Sequence, residues 1–134
     1  MTWLAGIVLL LLVILVALQL VPRIQAHRAL GRTLTGIPGP LGEAIDDGDR
    51  VLAVFSSPAC PACRAQGEAV DLLRKNFSSV HTINVVEQPA LARTFGIMVT
   101  PTSVLVQRGR VRAFLVGIQS AQKLRTLLSH TTTP

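Results

Sequence analysis

Two cysteines, Cys60 and Cys63, are all that this chain owns, and they stand as Cys60-Pro61-Ala62-Cys63. Thiols two residues apart can form and release a disulfide within a single turn of chain, which is the chemistry of a redox dithiol. Two other uses of the spacing compete with that one. A zinc site needs further ligands, and His27, His81 and His130 show none of the paired spacing such sites use. A purely structural bridge over so small a loop would add little stability. Redox exchange is therefore the leading reading, with no metal and no cofactor expected.

The flanking residues supply the elements that must hold such a pair. Residues 51–55 (VLAVF) form a short apolar run suited to a strand buried on both faces, and Ser56, Ser57 and Pro58 read as the turn that follows. Ala65, Ala69, Leu72, Leu73 and Phe77 then recur at helical spacing, which predicts a helix over residues 63–76. A second strand is expected over 80–86 and a short helix over 89–95. Residues 102–107 and 111–116, joined at Arg108 and Gly109, read as a hairpin. Ser120 can cap a last helix with Leu124, Leu127 and Leu128 on its inner face. The order β-α-β-α-β-β-α predicts an α/β fold with a mixed sheet and helices on both faces. Phe55, Phe77, Phe95 and Phe114 fall in these elements as core candidates.

Upstream the composition changes twice. No charged residue occurs from position 2 to 21, a stretch that as a helix matches a hydrocarbon core of about 30 Å. Residues 1–22 are read as a transmembrane anchor closed by Pro22. A cleaved signal peptide is the rival, but no Lys or Arg precedes the run and no clear cleavage motif follows it. Arg23, His27, Arg28 and Arg32 follow as a basic juxtamembrane segment, able to lie among anionic headgroups. Gly31, Gly36, Pro38, Gly39, Pro40, Gly42 and Gly48 lack periodicity and read as a linker, so residues 23–48 are expected to stand a domain of residues 49–130 off the membrane. Residues 131–134 are a polar tail. Three of the 13 Lys and Arg residues lie in the flank, so the sequence pI of about 11.1 is a poor argument for nucleic acid. No phosphate-binding glycine loop and no Ser-His-Asp arrangement is present.

Over residues 51–128 the chain resembles the thioredoxin superfamily. The likeness rests on the C-x-x-C at a strand-to-helix junction, on residues 95–102 (FGIMVTPT), and on the hairpin with Gly117 before a final helix. The resemblance implies a thioredoxin-like fold in which Pro101 follows a cis bond beside the dithiol. It also implies that Thr100 and Pro101 pair with an extended protein substrate. Pro58, Ala59, Pro61 and Ala62 complete the active-site loop. Cys60, where the helix begins, faces unpaired N–H groups and the positive end of the helix dipole, so it is the expected nucleophile. Cys63, one turn further in, is the expected resolving thiol.

Departures from the family pattern matter as well. Ala59 stands where soluble thioredoxins carry Trp, and Pro-Ala replaces Gly-Pro between the cysteines. The family's buried acid falls on Val54, leaving water, Glu68 or no group at all to relay a proton to Cys63. Cys-Pro-x-Cys is similar to glutaredoxins, periplasmic disulfide oxidases and the membrane-anchored thioredoxin-like proteins of methylamine utilisation, and the anchor favours the last group and the membrane-tethered thioredoxins of cytochrome c maturation. The expectation is a tethered thiol-disulfide oxidoreductase acting on protein disulfides, recycled by a redox partner. The tethered families imply a bacterial inner membrane with the head extracytoplasmic, whereas three arginines after the span favour a cytoplasmic head. The alternative is a non-catalytic adaptor that binds partners through the groove at Thr100 and Pro101.

Overall fold

β1 (Arg50–Ser56) is the strand on which the rest is built, and its residues 51–55 are all buried. The computed structural model describes residues 1–129; His130 and the tail at 131–134 lie outside the described residues. β1 pairs in parallel with β2 (Val80–Asn84) and antiparallel with β3 (Thr102–Gln107), and β4 (Arg110–Val116) closes the sheet in the order β2-β1-β3-β4. Alternation along β1 divides the core. Leu52 and Val54 face α3 (Pro61–Arg74) and α5 (Ala121–Ser129), whereas Val51, Ala53 and Phe55 face the opposite side. This is the thioredoxin-like arrangement expected, a mixed four-stranded sheet between helical layers.

Several elements stand where periodicity placed them. α4 (Pro89–Phe95) and β3 match residue for residue, and Ser120 Oγ accepts from the Lys123 N–H at 3.2 Å at the start of α5. β2 is two residues shorter than expected. Asn84 Oδ1 accepts from the Val86 N–H at 3.0 Å, so the side chain builds a local turn in place of a continuing ladder. α3 is rotated relative to its predicted face. Its buried residues are Cys63, Gln66, Val70 and Leu73, while Leu72 is exposed. Gln66 occupies an inner position that an apolar count passes over.

Residues 1–48 depart furthest from expectation. α1 (Thr2–Ala29) runs through Pro22 for seven more residues instead of ending there. Proline removes one backbone hydrogen bond, but the turns beyond it are held by the head, where Ala26 and Ala29 pack in the core. The predicted stand-off linker is also corrected. Leu34, Ile37, Leu41 and Ile45 are buried, the last two on α2 (Pro40–Asp46). Positive-φ glycines at 36 and 39 turn the chain so that these four side chains reach the sheet. At Gly42 a Cβ would overlap the Ile37 carbonyl oxygen, so α2 seats directly on the preceding backbone. Thr33 bridges to Arg110, and backbone bonds join Gly31 N to Val111 O (2.9 Å), Val111 N to Arg32 O (3.0 Å) and Leu34 N to Gly109 O (2.7 Å). The free edge of β4 is thereby covered near its start.

Candidate active site

The dithiol sits where β1 hands over to α3. Ser57 O accepts from the Cys60 N–H at 3.2 Å, which tightens the turn carrying Pro58 and Ala59, both exposed. Cys60 is the N-cap of α3 in an extended conformation, with Pro61 in the first turn, where its missing N–H leaves nothing unpaired. The Cys63 N–H donates to Cys60 Sγ at 3.1 Å. The two sulfurs are bonded, with Cα atoms 5.2 Å apart, inside the range a disulfide requires.

Exposure separates the pair. Cys60 is half-buried at the groove, whereas Cys63 is 7% exposed and lies on the inner face of α3. Helix N-terminal N–H groups and the helix dipole favour negative charge at the capping sulfur. Arg64 is exposed on α3. Val54 is buried among apolar side chains and Glu68 is exposed, so neither offers a buried carboxylate behind Cys63.

Across the groove, the Thr100–Pro101 peptide bond is cis, and the Thr100 carbonyl oxygen lies 3.6 Å from Cys60 Sγ. The loop is held from both sides. Thr102 Oγ1 donates to Val99 O at 2.7 Å, and the Gly117 N–H donates to Pro101 O at 2.8 Å. Thus the structure brings together Cys60, Cys63, Thr100 and the loop 58–62, with Pro101 buried beneath. His81 is placed elsewhere, on β2.

Residues that sequence reasoning passed over complete the site. Met98 (73% exposed) and Val99 precede Thr100 on the cis-proline loop, and Ile118 (56% exposed) follows Gly117, whose N–H holds that loop at Pro101 O. Gln66 donates to Gln119 O at 3.1 Å and accepts from the Gln119 N–H at 2.6 Å, fastening the 117–119 loop to α3 one turn beyond Cys63. A signal existed for Gln66, which lies three residues after Cys63 and therefore on the same helix face. Ser103 is fully buried opposite Val54 in the β1–β3 register, and its hydroxyl has no hydrogen-bond partner among the described residues.

Residues 38–132 match the sequence pattern of the Thioredoxin-like domain family, which is most of the chain. The chain belongs to the thioredoxin superfamily. It is similar to the thioredoxin of Alicyclobacillus acidocaldarius, at 29% identity over 100 residues covering 72% of this chain and 95% of that protein. It is also similar to a chloroplastic M-type thioredoxin of Zea mays, at 30% identity over 81 residues covering 58% of this chain; the chain spans 48% of that relative. Among solved structures, a mutant thioredoxin from Halobacterium salinarum aligns with a TM-score of 0.64 at 30% identity, covering 75% of this chain and 89% of that one. Membership of this superfamily, with Cys60 and Cys63 at disulfide distance, supports thiol-disulfide oxidoreductase chemistry.

Proposed function

We propose that this thioredoxin-like chain is a membrane-tethered thiol-disulfide oxidoreductase that reduces or matures specific protein substrates through Cys60 and Cys63. The observation that carries the reading is the asymmetry of the pair: a half-exposed sulfur capping α3 and a buried one behind it, facing the Thr100 carbonyl across a groove. In the reducing direction, the Cys60 thiolate attacks one sulfur of a substrate disulfide. A mixed disulfide forms, and the other substrate sulfur leaves as a thiolate. The Cys63 thiolate then attacks Cys60 Sγ, closing the intramolecular disulfide and releasing the second substrate thiolate, so two electrons pass to the substrate. A redox partner returns the dithiol by the same steps reversed. Thr100 presents backbone to an extended substrate segment, while Met98, Val99 and Ile118 receive its side chains.

The tether is supported by α1, whose 28 residues are long and apolar enough to cross a membrane. A signal sequence would meet the same two criteria, but Ala26 and Ala29 of this helix pack in the domain core. For the compartment we favour the extracytoplasmic face of a bacterial inner membrane, on the resemblance to tethered redox families. Arg23, Arg28 and Arg32 weigh toward the opposite face.

Trapping tests the chemistry. With Cys63→Ser the mixed disulfide cannot be resolved, so a covalent complex with the substrate should accumulate and dissolve on addition of reductant. Cys60→Ser should form none. Full function of the double-serine chain in cells would replace the enzymatic reading with the adaptor. Labelling of intact cells by a membrane-impermeant thiol reagent reads the compartment, and labelling only after lysis would move the head to the cytoplasm.

A further inference from the structure

The end of the sheet opposite the dithiol carries a second feature. β1 runs from Arg50 toward the active-site loop, β3 returns, and the turn at Arg108 and Gly109 lies beside the start of β1. Arg108, Arg110 and Arg112 are exposed there, and among the described residues none of them pairs with a carboxylate. Backbone bonds from Gly31, Arg32 and Leu34 to Gly109 and Val111 tie this hairpin to the chain leaving α1. Arg28 lies one helical turn before Gly31, and Arg23 is the first charge after the apolar run. The fold therefore gathers arginines about 80 residues apart in sequence at the exit of the apolar helix.

Heights along α1 set how far the head can stand from the lipid. Ala26, the first α1 residue packed against the core, is four residues past Pro22, the last of the charge-free run, or about 6 Å along the axis. The headgroup layer on each side of the hydrocarbon is roughly 5–7 Å deep. No gap remains between head and headgroups. Asp46, Asp47 and Asp49 occupy the α2–β1 turn at this end, but β1 is two strands from β4, about 10 Å away across the sheet. The basic side is the β4 edge.

We propose that Arg108, Arg110 and Arg112, with Arg23 and Arg28, form one contact surface for anionic lipid headgroups, which seats the β3–β4 hairpin on the membrane. The contact rests on the tether reading above and adds an orientation to it. The dithiol, at the far end of strands about 20 Å long, points away from the lipid toward aqueous substrates. Each arginine near an anionic surface favours the seated head by about fivefold, which corresponds to ~1 kcal/mol.

Electron paramagnetic resonance on the full chain tests this. In a Cys60→Ser, Cys63→Ser background reconstituted in nanodiscs, a nitroxide at Thr35→Cys reports the hairpin end and one at Ala59→Cys the dithiol end. Relaxation by nickel chelated to lipid headgroups should be severalfold stronger at Thr35 than at Ala59. It should strengthen further when phosphatidylglycerol is mixed into phosphatidylcholine. Arg108→Glu, Arg110→Glu and Arg112→Glu together should return Thr35 to its phosphatidylcholine value, while the three lysine replacements should retain the enhancement. Equal relaxation in both lipids, insensitivity to charge reversal, or lysines that behave like glutamates would overturn the contact and leave the tether standing. Release of the chain by alkaline carbonate would overturn tether and contact together.

Discussion

The two faces of the sheet are covered by different means. On one, α3 and α5 lay regular amphipathic helices over Leu52, Val54 and Leu105, and this layer holds Cys63. On the other, the end of α1, the irregular stretch around Leu34 and Ile37, α2 and α4 together cover Val51, Phe55 and Val104. The first face carries the dithiol and the second receives the end of the apolar helix. The difference teaches that a glycine-rich, aperiodic segment can be as much a part of the core as a helix, provided its few apolar residues land on the sheet.

Substitutions can break or sharpen that contrast. The largest effect is expected at Phe55, fully buried on the second face with its ring centroid 5.0 Å from that of Phe95. Phe55→Ala should destabilise the fold by about 3–5 kcal/mol in denaturant titration. Leu34→Ala and Leu73→Ala form a matched pair, one from the aperiodic cover and one from α3, both buried. Each should cost about 2–5 kcal/mol. A near-zero cost at Leu34 alone would restore the linker reading. Gln66→Ala leaves the Gln119 N–H without its partner and should cost about 1–3 kcal/mol, with a drop in the rate of substrate disulfide exchange as the Ile118 loop loosens. Ser103→Ala removes an unpartnered hydroxyl and should shift stability by less than about 1 kcal/mol in either direction, since no hydrogen bond is lost.

A pH series adds a small effect at the β2 edge. Burial first, and the Arg74 charge second, hold the His81 pKa below its ordinary 6.5. The unfolded chain therefore takes up a proton that the native chain resists. Stability should be full above pH 6.5 and decline as pH falls below it, and His81→Gln should flatten that decline. An unchanged slope in the variant would assign it to other groups.

Legibility followed the same division between faces. The strands and α4 were readable because buried runs, turn residues and a proline at a helix start are local signals. The dithiol and the segment at Thr100 and Pro101 were readable as a joint pattern, since either alone is common. The phase of α3 was misjudged because Gln66 faces inward, where it pairs with a backbone 53 residues away that no local window contains. The packing of residues 31–46 was hidden by the density of Gly and Pro, which carries no period although Leu34, Ile37, Leu41 and Ile45 follow one another at three- and four-residue steps. Met98, Val99 and Ile118 gave no sign, because an exposed apolar residue acquires meaning only from what stands beside it.

Gln66 has a wider consequence through its two bonds to Gln119. The helix that positions both sulfurs also holds the loop bearing Ile118, so one wall of the groove and the reactive pair are fastened to the same element. Ile118 on that wall and Met98 are exposed and make no part of the fold's core. Under the proposed function, substrate preference is then open to change at positions that leave the dithiol where it is.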